Sequence, residues 1–257
     1  MRILVTAALL VPAVAFAAGS SFDGTWKARL DSVKMSGKPD VFQIVNGEYS
    51  CSSCVPAVKV AADGAMHKVE GHPYYDELAV HVVDPTSVEM KQMQAGKAAG
   101  SVIYTVSKDG DTLTGKFTDN SGAQPVTGQF TEKRVAAASA GAHAISGSWM
   151  QSGVSGMNDA GLTVAYESSG DHFRMHANGQ SYDAKFDGKE YPVEGDPGHR
   201  QVTLKRIDAN TIEEIDHLQG KVSDEIRLAT AADGKTMTLT DKDVLHGQTS
   251  TVTFDKQ

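Results

Sequence analysis

The stretch Tyr49-Ser-Cys-Ser-Ser-Cys-Val-Pro56 holds the only two cysteines of the chain, Cys51 and Cys54. In an oxidising compartment such a pair defaults to a disulfide, here one that pins the turn before Val58. A redox-active pair needs a helix N-terminus or a nearby cation to lower the thiol pKa, and this stretch reads as a β-turn. Covalent haem needs a histidine directly after the second cysteine, where Val55 stands. Zinc would draw on His67 and His72, but no second cysteine pair exists and the spacing matches no standard finger. The expectation for Cys51 and Cys54 is a structural disulfide.

Close by, His72-Pro-Tyr-Tyr-Asp76 gathers an imidazole, two phenols and a carboxyl group. Tyr49, His72, Tyr74 and Tyr75 are the ligand-binding candidates if they share a barrel mouth; a packed turn is the alternative. His172 and His176 lie four apart on one strand face and could reach a metal only with a third ligand such as His199 or His217. The acids Glu70/Glu194, Asp84/Asp208 and Glu89/Glu213 recur as pairs beside turns, where carboxylates solvate chain reversals. No Gly-x-Ser-x-Gly elbow, P-loop, dinucleotide fingerprint or His-Glu-x-x-His is present. Ser152–Gly161 contains Gly-x-Ser-Gly without a strand–elbow–helix context and reads as a flexible loop. No catalytic residue, metal or cofactor is assigned.

The elements that must position these groups come in duplicate. Asp63-Gly-Ala-Met-His-Lys-Val-Glu-Gly-His-Pro73 reappears as Asp187-Gly-Lys-Glu-Tyr-Pro-Val-Glu-Gly-Asp-Pro197, an offset of 124. From Asp63 to Thr114 the copies align without a gap, with 14 of 52 positions identical, where unrelated sequences of ordinary composition give about three. Phe22-Asp-Gly-Thr-Trp26 likewise matches Ile145-Ser-Gly-Ser-Trp149. Between the copies, residues 135–144 are small and uncharged and read as a linker. The organisation expected is a signal peptide at 1–17, one domain at 20–134, the linker, and a second domain at 145–257 able to fold alone.

Within each copy the apolar pattern has period two, as in Glu77–Asp84 and Gln201–Asp208. Asp63-Gly64, Asp109-Gly110, Asp187-Gly188 and Asp233-Gly234 each predict a type I′ hairpin. "DPTSVE" and "DANTIE" read as slightly longer turns. No helical stretch exceeds about two turns. Eight or nine short antiparallel strands per copy predict an all-β fold closed into a barrel, which removes exposed edges; a two-sheet sandwich is the alternative.

An apolar residue followed by x-Gly-x-Trp on the first strand resembles the opening motif of lipocalin-like (calycin) proteins, and the whole chain is similar to secreted bacterial tandem proteins of that kind. The resemblance implies that Trp26 and Trp149 close one end of a barrel, that Gly24 and Gly147 let the chain pass close beneath them, and that a late basic residue covers each Trp. Arg134 is available in the first copy and Lys256 in the second. Each copy is shorter than a typical lipocalin and lacks that family's later motifs.

The first residues, Arg2, the apolar run Ile3–Val14 and Ala15-Phe-Ala17, have the form of a cleaved secretory signal. The run is too short for a membrane span, so the expected product is exported, periplasmic or secreted, without stable membrane insertion. A net charge of −8 argues against nucleic-acid binding, which needs clustered cations. The function expected is binding of a small, largely apolar molecule. Two alternatives stand beside it: a small-molecule enzyme (isomerase, hydrolase or metal-assisted) near Cys51, Cys54 and His72, and an envelope scaffold or interaction protein.

Overall fold

The computed structural model describes residues 20–257; the signal-peptide expectation lies outside the described residues. The fold is all-β. Ten strands fall in the first half of the chain: β1 (Gly24–Gly37), β2 (Asp40–Val45), β3 (Glu48–Cys51), β4 (Val58–Ala61), β5 (Asp63–Lys68), β6 (Glu77–Asp84), β7 (Ser87–Gln94), β8 (Lys97–Val106), β9 (Thr112–Asp119) and β10 (Val126–Ala137). Ten follow: β11 (Gly147–Ser155), β12 (Thr163–Ser169), β13 (His172–Ala177), β14 (Gln180–Lys185), β15 (Tyr191–Pro192), β16 (Gln201–Asp208), β17 (Thr211–Leu218), β18 (Lys221–Thr230), β19 (Thr236–Asp243) and β20 (Gln248–Lys256). Among the described residues one 3-10 turn, Asp159–Gly161, precedes β12.

The strands form two antiparallel, barrel-like sheets of ten. Barrel one runs β4-β3-β2-β11-β10-β9-β8-β7-β6-β5, and barrel two runs β14-β13-β12-β1-β20-β19-β18-β17-β16-β15. In barrel two a bridge between Ser181 and Glu194 brings β14 towards the segment after β15. The first strand of each repeat therefore lies in the barrel built from the other. β1 pairs with β12 and β20, and β11 pairs with β2 and β10. Repeats and barrels are offset by one strand. Residues 138–146 join two neighbouring strands of barrel one, and the chain crosses between barrels at Lys38-Pro39 and between β11 and β12.

Period-two alternation dictates each core. Leu78 and Val80 on β6 and Val202 and Leu204 on β16 point inward and are buried, as expected for strands with one dry face. Trp26 and Trp149 are fully buried at the exchanged strands. Trp26 packs with Tyr166, Phe173 and Ile212 in barrel two, and Trp149 packs with Phe42, Val80 and Leu113 in barrel one. Each indole N–H donates to the carbonyl four residues back, Phe22 at 2.7 Å and Ile145 at 2.8 Å. The basic covers come from the opposite repeat: Arg134 sits 3.9 Å from the Trp149 ring and Lys256 lies 5.2 Å from the Trp26 ring. Gly24 (φ +125°) and Gly147 (φ +136°) pass beneath these side chains. A Cβ there would lie 2.9 Å from Lys256 Cε and 2.7 Å from an Arg134 guanidinium nitrogen.

The turn chemistry differs from the Asp-Gly expectation. Asp109-Gly110 and Asp233-Gly234 do reverse the chain, but only the glycine takes positive φ. Each aspartate instead accepts the backbone N–H two residues on, an Asx turn that needs no left-handed residue. Asp63-Gly64 opens β5 at a register shift, and Asp187-Gly188 is a bend between β14 and β15. The pairs with two positive φ values, as type I′ demands, are Asn46-Gly47, Ala95-Gly96, Asn178-Gly179 and Gln219-Gly220. The turns in "DPTSVE" and "DANTIE" are two-residue connections, closing at Asp84↔Ser87 and Asp208↔Thr211.

Candidate functional site

The two repeated phrases that end in Pro73 and Pro197 meet across the barrels. Tyr74 lies against Gly198, its own repeat equivalent, where a Cβ would come within 2.8 Å of the Tyr74 ring. The Tyr74 hydroxyl donates to Asp196 Oδ1 at 3.4 Å. Self-contact between equivalent positions is what an approximate two-fold relation produces.

Beside this contact a groove of about 450 Å³ runs between the repeats. The first repeat supplies Cys54, Val55, Pro56, His72, Pro73, Tyr74 and Tyr75; the second supplies Leu218, Lys221, Leu245 and His246 among others. The geometry follows from local constraints. The Cys51–Cys54 disulfide, with Cα atoms 5.4 Å apart, closes the turn that leads into Val55 and Pro56. Gly71, at φ +80°, brings the other wall close enough that a Cβ would lie 3.1 Å from Pro56. His72 and Tyr75 stack with ring centroids 4.5 Å apart.

Burial holds the His72 imidazole below its usual pKa, so it is neutral at pH 7. Burial also pushes the Tyr74 and Tyr75 phenols up to about 12. His246 is different. Its Nδ1 lies 2.6 Å from Asp243 Oδ2, and that bond raises its pKa. The groove thus offers a stacked, uncharged aromatic wall, aliphatic and proline walls, and two basic groups at its rim. Such a surface desolvates a flat or branched apolar molecule and provides few directional contacts.

Of the sequence candidates, the groove gathers His72, Tyr74, Tyr75 and Cys54. Tyr49 sits elsewhere. It is buried in barrel one with its ring 6.5 Å from Phe42, because β3 alternation turns it and Cys51 inward together. The cysteines are joined, so neither sulfur is a thiolate. His67 bonds Asp63 at 2.8 Å on a hairpin apart from the groove, and His172 bonds Asp183 at 2.6 Å. Among the described residues no group of three or more His, Cys, Asp or Glu side chains is arranged to hold a metal ion. No described helix is long and apolar enough to cross a membrane.

Sequence reasoning missed the polar interior of barrel two. Tyr182 donates to Glu214 Oε2 at 2.7 Å, and Arg200 donates to Asp216 Oδ2 at 2.7 Å and to Gln180 Oε1 at 3.3 Å. The available signal was Ile212-x-Glu214-x-Asp216 on the inward face of β17, where the first repeat reads Val88-x-Met90-x-Gln92. No protein-family model matches this chain, and no curated protein matches it.

Proposed function

We propose that this protein is exported and binds a small, largely apolar molecule in the groove between its two repeats. The observation that carries the reading is the groove itself: about 450 Å³, walled by both copies, with the neutral His72–Tyr75 stack facing Leu218 and Leu245. Barrel-like β folds hold small ligands by desolvation within such concave surfaces. Export is supported by the form of residues 1–17 and by the Cys51–Cys54 disulfide, which persists in oxidising compartments; N-terminal sequencing of secreted material is expected to begin near Ala18.

The test is a titration with the neutral fluorophore N-phenyl-1-naphthylamine, alongside native mass spectrometry of protein from its own host. Saturable binding at one site is expected, weakened about tenfold or more by Tyr75→Ala or Leu218→Asp, a loss of about 1.4 kcal/mol or more. Binding that is non-saturable, or untouched by both substitutions, overturns the reading.

A further inference from the structure

The two-fold relation that sets Tyr74 against Gly198 produces two clefts, and the copies have lined them differently. The first is the groove of about 450 Å³ that holds His72, Tyr75, Leu218 and Leu245. Its mate, of about 330 Å³, is lined by Gln92, Asp119, Ser121, Gln180 and Asp196, with Tyr74 lining both. At the 124-residue offset Asp196 stands where the groove has His72. The β9–β10 hairpin gives the mate Ser121, whereas the β19–β20 hairpin gives the groove Leu245 and His246. One scaffold carries both linings, so packing of the duplicated fold requires neither. The apolar and basic lining belongs to one cleft alone.

Its charge is unusual for this chain. The protein carries a net charge of −8, yet among the described residues no carboxylate lines the groove, and its charged lining is Lys221 and His246. At physiological salt, charges farther than about 8 Å are largely screened, so the lining and its immediate neighbours decide what the groove accepts. The turn Gln219-Gly220, with φ of +52° and +74°, sets Leu218 opposite Lys221; one hairpin thus supplies an apolar wall and a cation at its rim. Lys221 is exposed and forms no ion pair among the described residues. The same lysine recurs as Lys97, so the cation alone does not make the site; its apolar company does. Asp243 accepts the Nδ1–H of His246 at 2.6 Å and, with Asp40 and Asp224, keeps that ring protonated. The His246–Asp243 pair is close to neutral as a whole. His246 therefore offers a donor, its Nε2–H, which has no partner among the described residues, and Lys221 offers the charge.

We propose that the groove takes an aryl carboxylate, its rings against the His72–Tyr75 stack, Leu218 and Leu245, and its carboxylate at Lys221 and His246. This ligand class rests on the groove reading above. The stacked rings, 4.5 Å apart and 19° from parallel, present a flat wall on which a third ring can lie offset or edge-on. A carboxylate accepts from an ammonium and an imidazole N–H together, and such charge-assisted bonds are the stronger kind. In the mate cleft Asp119 and Asp196 repel the same group.

The experiment is calorimetric titration of the full chain with sodium 2-naphthoate and with 2-naphthamide, its neutral analogue of the same shape, each also tested for displacement of N-phenyl-1-naphthylamine. One-site binding of naphthoate is expected, about tenfold tighter than naphthamide, with displacement of the dye. Sodium n-decanoate, which carries the charge without rings, is expected to bind about threefold or more weakly than naphthoate. Lys221 is exposed on its hairpin, so Lys221→Glu is expected to keep the melting temperature and erase the preference for carboxylate over amide. Naphthamide binding as tightly as naphthoate, with both displacing the dye, overturns the anion and leaves the groove reading standing. A preference that survives Lys221→Glu, or naphthoate that binds without displacing the dye, overturns the placement. Decanoate binding as tightly as naphthoate overturns the aryl class. Failure of the dye and of both naphthalenes to bind overturns the groove reading and this one with it.

Discussion

The two barrels share a scaffold and differ in what fills it. At matching positions barrel one has Met90, Gln92, Gly100 and Phe117 where barrel two has Glu214, Asp216, Asp224 and Asp241. Barrel one is closed by aromatic contact, with Phe42, Tyr104, Phe130 and Phe117 in a chain of rings 5.6–6.3 Å apart. Its single buried acid, Glu132, is 4% exposed. Barrel two keeps its rings at the Trp26 end, where Phe22, Tyr166 and Phe173 pack together, and gives the other end to charge. One copy thus retains a dry interior while the other carries polar groups whose desolvation its apolar end must offset. Duplication makes that division possible, because each barrel has its own core.

The sharpest way to break the comparison is to cut the chain within 138–146. Because each fragment holds a strand of the other's barrel, the pieces are expected to remain associated at the size of the intact protein in gel filtration. Separation under native conditions would mean that the repeats close alone, as the sequence boundaries 20–134 and 145–257 imply. Next in size, Trp26→Ala is expected to cost about 3–5 kcal/mol, the usual range for a buried aromatic. Hydrogen exchange should rise in barrel two, although Trp26 belongs to the first repeat; loosening confined to β2–β10 would contradict the exchange.

Acidity comes third. Burial pushes Glu132 up to about 8 from 4.5 and Asp241 up to about 7 from 3.8; Asp216, also crowded by Glu214, rises to about 8. The folded state therefore holds protons that the unfolded chain releases above about pH 4. The contribution of these three groups is greatest below that point and is lost as pH rises towards about 8. The melting temperature is expected to drop between pH 5 and pH 8. Glu132→Gln should recover on the order of 2–4 kcal/mol at pH 8 and flatten the profile; a profile rising with pH would refute the account.

The smallest effect separates the two caps. Arg134 donates to the carbonyls of Gly110, Ala144 and Ser146 at 2.6–2.8 Å while covering Trp149, so Arg134→Ala is expected to cost about 2 kcal/mol. Lys256→Ala removes only a longer cation–ring contact and should cost about 0.5–1 kcal/mol. Equal losses in urea melts would erase the difference between the caps.

Much of the architecture was legible. Period-two alternation gave strands, the 124-residue offset gave two copies, and the Gly-x-Trp pairs marked the buried Trp positions; Arg134 and Lys256 are the covers, but each covers the Trp of the other copy. What stayed hidden was partner choice. Nothing local tells β1 whether to join β2 or β20, since both slots accept the same apolar-x-Gly-x-Trp pattern, and register between distant strands is settled by tertiary packing. The groove was half legible: His72, Tyr74 and Tyr75 were visible as a cluster, but Leu218 and Leu245 come from the other repeat. Tyr49 looked like a companion only by nearness in sequence. The carboxylates of barrel two escaped because repeated acids drew attention, whereas Glu214 and Asp216 differ from their counterparts.

The pairing of β1 with β20 also sets a timetable. Residues 24–37 are made before the other described strands, and β20 is the last of the twenty. Until it arrives, the slot between β12 and β20 lacks one wall, and the core that receives Trp26 lacks Phe254. Pairing over such sequence separation is slow, and an unpaired apolar strand is open to wrong partners meanwhile. Barrel one can close without β1 once β11 has been made, so the molecule matures in two stages, with its oldest segment the last to find its place.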